Sequence, residues 1–433
     1  MATSRRQFLQ NVLGGSALIS ASLTAPAFLT STARLLAAPG SRDHKVLVVV
    51  QLSGGNDGLN TVIPYRDPLY ARNRVALRIA PSAVLPLADG IGLHPQMRGM
   101  AELFERGRLA IVQGVGYPNP NRSHFESMDI WHSCQRGDEA TGGVATAQAW
   151  TGWLGRTLDC LPGKQRGEVT ALHLGRGALP LALVARQTAV PSVESLDRFQ
   201  LRSSDGGLSV AALRELSAAS LSLDWPTANN DAAEHPSAAL VQFVRQTALT
   251  ALDASGKLQE SLAQERAAAG YPAMPLAGQL RTVAQLIDAG LPCRIYYLSL
   301  GGFDTHANQA ATHAGLLEQL SQSLAAFMAD IEARGHADRV LVMTFSEFGR
   351  RVQENASAGT DHGAAAPMFL VGTAVKPGLI GPHPSLADLD AGDLKHHTDF
   401  RQVYAAILEH WLGCPAAEVL GGSFRPADVL KPS

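Results

Sequence analysis

Charge is scarce in this chain. Only 17% of its 433 residues are Asp, Glu, Lys or Arg, and the formal net charge is -2. A sequence so low in charge and 46% hydrophobic is not a disordered or charge-driven chain. Without a surplus of Lys and Arg it has no means of releasing counterions from a phosphate backbone, so no nucleic-acid partner is expected. Cysteine is scarce too. The 4 cysteines, Cys134, Cys160, Cys293 and Cys414, are widely spaced and form no CxxC pair. That spacing excludes a zinc ribbon or a redox dithiol and leaves disulfide pairing open. Beyond the first thirty or so residues, no apolar run approaches the thickness of a bilayer. What the chain has in quantity is length and apolar side chains. It is long enough for two or three average domains or one large α/β domain with insertions, and it can bury a core without staples.

The N-terminus reads as an address. Ser4-Arg5-Arg6-Gln7-Phe8-Leu9 precedes a mildly apolar stretch from Val12 to Leu29, diluted by Gly14, Gly15, Ser16, Ser20 and Ser22. Residues 1–38 look like a twin-arginine export signal, to be excluded from the fold. Its partner is the twin-arginine translocation machinery, and its destination is the periplasm or the exterior. Ala25-Pro26-Ala27 and Ala37-Ala38 both offer cleavage sites. The competing reading is an uncleaved anchor, for which the stretch is too rich in small and polar residues. The first cysteine is Cys134, so no lipid-attachment cysteine lies near the signal. After signal removal no permanent membrane span is expected.

The mature chain, residues 42–433, reads as one α/β domain. Short apolar runs at Lys45–Leu52, Leu109–Val115, Ala171–Leu174, Arg294–Leu300, Val340–Phe345 and Met368–Gly372 do not alternate with polar residues, as expected of strands buried on both faces. Helical patterns at Gln96–Arg106, Leu276–Ala289, Leu316–Arg334 and Phe400–Leu412 lie among them. Strands alternating with helices predict a mostly parallel central sheet with helices on both faces. Residues 204–270, with a Ser-Ser-Asp-Gly-Gly turn signal and Ala-rich flanks, are expected to form a helical insertion.

Four of the predicted strands run into segments dense in Gly and in metal- or proton-handling residues. These are Ser53-Gly54-Gly55-Asn56-Asp57-Gly58, Asn121-Arg122-Ser123-His124-Phe125-Glu126, Gly301-Gly302-Phe303-Asp304-Thr305-His306, and Ser346-Glu347-Phe348-Gly349-Arg350 with Thr360-Asp361-His362-Gly363. In open α/β sheets ligands bind outside the carboxyl ends of the strands. The four segments together supply Asp57, Asp304, His306, Glu347, Asp361 and His362. Mixed carboxylate and imidazole donors suit one or two divalent ions of Zn, Mn or Fe. Each segment also has a plainer reading. The first is a flexible turn. Ser123 to Glu126 fits an S-x-x-E capping box. Asp361-His362 is a surface turn, and Glu347 with Arg350 a local ion pair. A serine at a helix start also sits where N–H groups favour an anion. His94, His173, His313, His336 and His410, with no acidic or Gly-rich context, read as core-edge or surface residues. His396-His397-Thr398 is ambiguous between a further ligand and a helix start.

The motifs LSGGNDGLNTVIPY (Leu52–Tyr65), NRSHFESMDIW (Asn121–Trp131), GGFDTHANQ (Gly301–Gln309), TFSEFGRR (Thr344–Arg351), GTDHG (Gly359–Gly363) and DFRQVYAAILEHWLG (Asp399–Gly413), with the arginine-type signal, resemble the exported bacterial family catalogued as domain of unknown function 1501. That family is in turn similar to the alkaline phosphatase and sulfatase superfamily. The resemblance implies an alkaline-phosphatase-like fold with a one- or two-metal site. Asp57 would then be the ligand after the first strand, Ser123 the nucleophile at a helix start, Asp304 and His306 a later ligand pair, and Asp361-His362-Gly363 the Asp-His-Gly motif. The chain departs from the superfamily in several respects. The superfamily's last His ligand has no secure match, His397 being only a candidate. Asp304 and His306 are closer in sequence than its usual pair, and Glu347 stands at the strand end where Asp-His is usual. No Cys-x-Pro/Ala-x-Arg signature is present, which argues against a formylglycine sulfatase.

Two functions are expected from these features. The first is an exported metal-dependent hydrolase or transferase acting on an anionic phosphate or sulfate ester, small or polymeric, with Ser123 or a metal-bound hydroxide attacking and Arg350 or Arg122 clamping the anion. The second is a non-catalytic exported protein that keeps the fold, with or without a structural metal, and supports assembly or secretion of a partner. A carbohydrate-processing enzyme using two carboxylates is a third, poorly matched by the His-rich context.

Overall fold

The computed structural model describes residues 44–88, 90–135, 151–161, 170–175, 177–188, 190–193 and 270–432. The expected signal (1–38) and all but the last residue of the expected insertion (204–270) lie outside the described residues. No helix among the described residues is long and apolar enough to cross a membrane.

The central sheet holds nine strands among the described residues. Its middle is β1 (Val46–Ser53). The other sheet strands are β5 (Leu109–Gly116), β6 (Ala171–Leu174), β7 (Ser192–Val193), β8 (Ile295–Gly301), β9 (Val340–Phe345), β10 (Ala366–Val371), β11 (Gly378–Ile380) and β14 (Thr398–Asp399). The order across the sheet is β11-β5-β10-β9-β1-β8-β6-β7, with β14 also on β5. A small sheet of β2 (Val62–Ile63), β3 (Leu85–Ala88) and β4 (Ile91–Leu93) and a hairpin of β12 (Leu389–Asp390) and β13 (Asp393–Leu394) lie apart. β1 is parallel to β8 and β9, with Val48 opposite Tyr296 on one side and Val342 on the other. Only β10 runs against the rest of the central sheet. The fold is therefore α/β with a mostly parallel sheet, as the uninterrupted apolar runs predict.

Alternate residues of β1 serve two cores. Val46, Val48, Val50 and Leu52 join one cluster, and Leu47 and Val49 the other. The period of two along a strand makes this division, so a run such as VLVVVQL needs no polar face. The first cluster is closed by α2 (Arg98–Glu105), α5 (Pro275–Asp288) and α6 (Gln309–Ala333), through Met100, Leu103, Leu280, Val283, Leu317 and Leu320. The second is closed by α3 (His124–Ser133), α4 (Trp153–Cys160) and α7 (Phe400–Ile407). Here Trp131 stacks on Phe400 at 4.3 Å and Trp153 on Tyr404 at 4.1 Å. A stacked aromatic pair adds about 0.5–1.5 kcal/mol beyond its buried area.

α7 begins where Asp399 and Gln402 form a capping box, and it passes through one π turn, Leu408–Leu412, before Gly413 closes it in the left-handed region. Shorter helices, α1 (Pro68–Asn73) and α8 (Ala416–Leu420), complete the described set. α6 starts seven residues before the apolar pattern does, at Gln309 rather than Leu316. Its first turns carry buried Gln309 and His313, which face polar groups beneath the site, so hydrophobic periodicity does not mark them. Of the histidines expected at the core edge or the surface, His94, His173 and His336 are likewise buried, and His410 is exposed. Burial pushes His94, His173 and His313 each down to about 4, so they are neutral near pH 7.

Candidate metal centre

The parallel strands β1, β5, β8 and β9 deliver the segments after them to one edge of the sheet. Because β10 is antiparallel, the segment that enters it, residues 360–365, arrives at the same edge. Residues 346–365 turn back on themselves: Gly349 N–H donates to Ala364 O and Gly363 N–H to Gly349 O, each at 2.8 Å, and Arg350 pairs with His362 as a β-bridge. This turn carries His362 over the sheet edge.

Two glycines permit the crowding. Gly54 has φ +115, and a β-carbon on it would stand 2.4 Å from the backbone nitrogen of Asp304. A β-carbon on Gly359 would stand 2.2 Å from the carbonyl carbon of His306. No side chain fits either place, so the segments after β1, β8 and β9 touch backbone to backbone.

Arg350 ties these segments together. Its fully buried guanidinium donates to Gly55 O (2.6 Å), Thr360 O (2.8 Å), Phe303 O (3.0 Å), Gly54 O and the Asp304 carboxylate (2.7 Å). Arg350, expected as an anion clamp, is thus committed to four loop carbonyls and one carboxylate. Arg122, the other expected clamp, pairs with Asp393.

Asp304 stands at the centre of a cluster with His124, His306 and His362. Its Oδ1 lies 3.0 Å from His306 Nε2 and 3.1 Å from His362 Nε2, and its Oδ2 lies 3.4 Å from His124 Nε2. The donor atoms of His124, Asp304 and His362 all lie within 4.8 Å of one another. Each imidazole is anchored through its other nitrogen. His124 Nδ1 is 2.8 Å from Glu347 Oε1, His306 Nδ1 is 3.2 Å from Asp361 Oδ1, and His362 Nδ1 is 2.8 Å from Arg122 O. Carboxylates and carbonyls only accept, so each Nδ1 carries a hydrogen, and each Nε2 faces the centre, where it gives a proton to Asp304 when the imidazole is charged and a lone pair to a cation when it is neutral. Carboxylates and carbonyls that hold histidines in this way are the usual outer support of metal ligands.

The electrostatics fit the same reading. Burial works against ionisation of Asp304, but hydrogen bonds from Arg350 and His362 and the charges of Arg350 and His124 prevail and hold its carboxyl at about 2. The hydrogen bond to Glu347 raises His124 above the ordinary histidine value, with the charges of Glu347 and Asp304 adding and burial opposing. Glu347 is 1% exposed, and its Oε1 also accepts the Gly54 N–H at 2.8 Å. Asp304 and His306, at 46% and 45%, face solvent, so the cluster is open on one side. Phe348 packs its ring 4.7–4.8 Å from those of His124 and His362.

A cation would fit here. His306 Nε2 and His362 Nε2 approach to 3.0 Å, and His124 Nε2 is buried with no hydrogen-bond partner. Three imidazole nitrogens and one carboxylate are a donor set for Zn, Mn or Fe.

The structure brings Asp304, His306 and His362 together, with Glu347 and Asp361 each one hydrogen bond behind a histidine. It sets Asp57 apart. Asp57 is fully buried and takes the guanidinium of Arg74 on both oxygens, at 2.5 and 2.9 Å, and Gln309 Nε2 at 2.5 Å. Burial alone would raise its carboxyl, yet Arg74 chiefly, helped by His313 and Gln309, keeps it below the usual value. Ser123 is the N-cap residue of α3, half-buried, its backbone N–H bonded to Asn121 Oδ1 at 2.7 Å. The expected capping box is not formed: the Ser123 hydroxyl makes no cap bond, and Glu126 bonds Asn121 instead. His396 and His397 do not join the cluster; His397 Nε2 bonds Pro382 O at 2.7 Å. His124 is the residue that sequence reasoning missed, hidden within the Ser-x-x-Glu pattern.

No curated protein matches this chain. Solved structures similar to this chain include these three. One is the C-terminal periplasmic domain of EcEptC from Escherichia coli in complex with Zn, with 9% identity, 77% of this chain and 74% of that chain covered, and a TM-score of 0.37. Another is the PsFucS1 sulfatase from Pseudoalteromonas sp., with 10% identity, 94% and 77% covered, and a TM-score of 0.39. A third is the lipoteichoic acid synthase LtaP from Listeria monocytogenes, with 10% identity, 83% and 76% covered, and a TM-score of 0.32. Residues 44–411 match the family described as "Protein of unknown function (DUF1501)". That match spans the whole central sheet and every member of the histidine–aspartate cluster, and the chain belongs to the DUF1501 family.

Proposed function

We propose that this protein is an exported metal-dependent hydrolase or transferase acting on a phosphate or sulfate ester, with one divalent ion held by His124, Asp304, His306 and His362. The observation that supports it most is the common arrangement of the three imidazoles. Each is fixed through Nδ1, and each aims Nε2 at one half-exposed carboxylate. The ion would supply Lewis acidity toward an ester oxygen and a lowered pKa for a bound water. The chain's own residues hold the donors in place. Glu347 and Asp361 orient two of the imidazoles, and Arg350 keeps Asp304 ionised. The solvent-facing side of Asp304 and His306 is where a substrate would enter. Ser123, immediately before His124 at the start of α3, is the nucleophile in this reading. Export through the twin-arginine pathway, which carries folded proteins, suits a metal loaded before transport.

The test is an ester screen with metal content measured on the same samples. Asp304→Ala should lower both metal content and turnover, and Ser123→Ala should lower turnover alone. An Asp304→Ala protein with undiminished metal and turnover contradicts the proposal.

One observation favours a second reading. Four protein donors are enough to close a tetrahedral shell, as in structural sites. The protein would then be a non-catalytic exported member of the fold that supports assembly or secretion of a partner. The absorption spectrum of the cobalt-substituted protein separates the two. A spectrum that shifts on adding inorganic phosphate shows an open position. One indifferent to phosphate, azide and cyanide shows a closed shell.

A further inference from the structure

Gln309 is the first residue of α6 and is fully buried. Its side-chain amide meets three partners. Nε2 donates to Asp57 Oδ2 at 2.5 Å. Oε1 accepts from Thr305 Oγ1 at 3.1 Å and from Thr360 Oγ1 at 2.6 Å. Thr305 sits between Asp304 and His306, and Thr360 lies immediately before Asp361 and His362. One oxygen atom therefore holds both of the loops that carry metal donors. The backbones of the same two threonines also meet, Thr360 N–H donating to Thr305 O at 3.2 Å.

The direction of the amide is imposed from behind. Arg74 keeps Asp57 ionised, and an ionised carboxylate only accepts, so Nε2 must face it. Oε1 is thereby turned to the two hydroxyls. A residue that leaves the metal untouched, Asp57, thus decides which end of Gln309 meets the ligand loops. Thr305 N–H donates to Phe303 O at 2.8 Å, a tight turn about Asp304, and Thr305 is buried while Asp304 and His306 face solvent. Its hydroxyl is drawn inward to Gln309 while Asp304 and His306 are presented outward.

Resting on the metal-centre reading above, we infer that Gln309 is a positioning residue for that centre, setting the spacing of its two donor loops through Thr305 and Thr360. Partners bonded to a ligand itself change metal affinity by about 10- to 100-fold when removed; Gln309 acts one residue further out, so the lower end of that range is expected. No substitute keeps all three bonds. Glutamate would set a second carboxylate against Asp57, and methionine fills the space but makes none of the three bonds.

The experiment is a cobalt(II) titration of the purified protein, followed by its visible absorption, with the melting temperature of each metal-free variant measured alongside. Gln309→Met and Thr360→Val should each weaken cobalt(II) binding by about tenfold. Thr360→Ser keeps the hydroxyl and should restore wild-type affinity and spectrum. Leu280→Ala, in the core away from the site, should lower the melting temperature without changing affinity, which separates positioning from general destabilisation. Should Gln309→Met fail to fold, Thr360→Val against Thr360→Ser decides. Wild-type affinity in a folded Gln309→Met, or in Thr360→Val, overturns this inference and leaves the metal centre standing. A wild-type protein that takes up no cobalt(II) overturns both.

Discussion

His306 and His362 bring their Nε2 atoms to 3.0 Å of each other while Asp361 and the Arg122 carbonyl hold their Nδ1 atoms. At that distance the two nitrogens face each other across a proton or a cation. A divalent ion that replaces the proton and takes both as ligands should therefore stabilise the fold. Ligand present at a hundred times its Kd stabilises the folded state by about 2.7 kcal/mol. Chelation should lower the melting temperature by several degrees and excess zinc should restore it. Asp304→Ala should melt at one temperature with or without zinc.

Glu347 is the buried support of His124, joined to it at 2.8 Å. Glu347→Gln should weaken metal binding by about 10- to 100-fold without abolishing it. It also bears on pH. In the metal-free protein the Glu347 hydrogen bond raises His124 above its ordinary 6.5, so protons compete with metal from a higher pH than for a free histidine. Affinity should fall as the pH drops through that raised value. In Glu347→Gln the pH at which affinity falls should move downward. Metal titrations between pH 5 and 8 check both.

Asp57 and Arg74 form a buried pair, with side chains 1% and 0% exposed. Removing one partner of such a pair costs about 3–5 kcal/mol, because the other charge stays buried. Asp57→Asn should show that loss in denaturant unfolding at pH 7, while its folded fraction still takes up metal. The folded-state pKa of Asp57 is depressed, so its contribution is present above the unfolded value near 3.8 and is lost as pH falls through the folded one. The gap between wild type and variant should therefore narrow in acid.

Gly54 cannot carry a side chain where it meets Asp304. Gly54→Ala should be destabilised both by the clash and by its φ of +115. It should lower the melting temperature and metal affinity together, since Asp304 must move to admit the methyl group.

The sheet was legible because its strands are buried on both faces. VLVVVQL, RIYYLSL and VLVMTF carry no competing pattern, and they lie within a residue or so of β1, β8 and β9. Asp304, His306 and His362 were legible because they follow those runs among glycines. Asp57 shares that context but is claimed by Arg74, 17 residues on, in a segment whose spacing shows no sign of the contact. His124 was obscured for the opposite reason. Ser-His-Phe-Glu imitates a capping box, and only the fold reveals that its histidine turns onto Glu347. Gln309 precedes the apolar stripe of its helix, so nothing local marks it as buried.

Elemental analysis of the protein purified without chelator, beside His124→Ala and Asp304→Ala, bears most directly on the metal centre. One equivalent of Zn, Mn or Fe in the wild type, lost from both variants, is the predicted result. No metal under any loading condition, or equal metal in all three proteins, would contradict it.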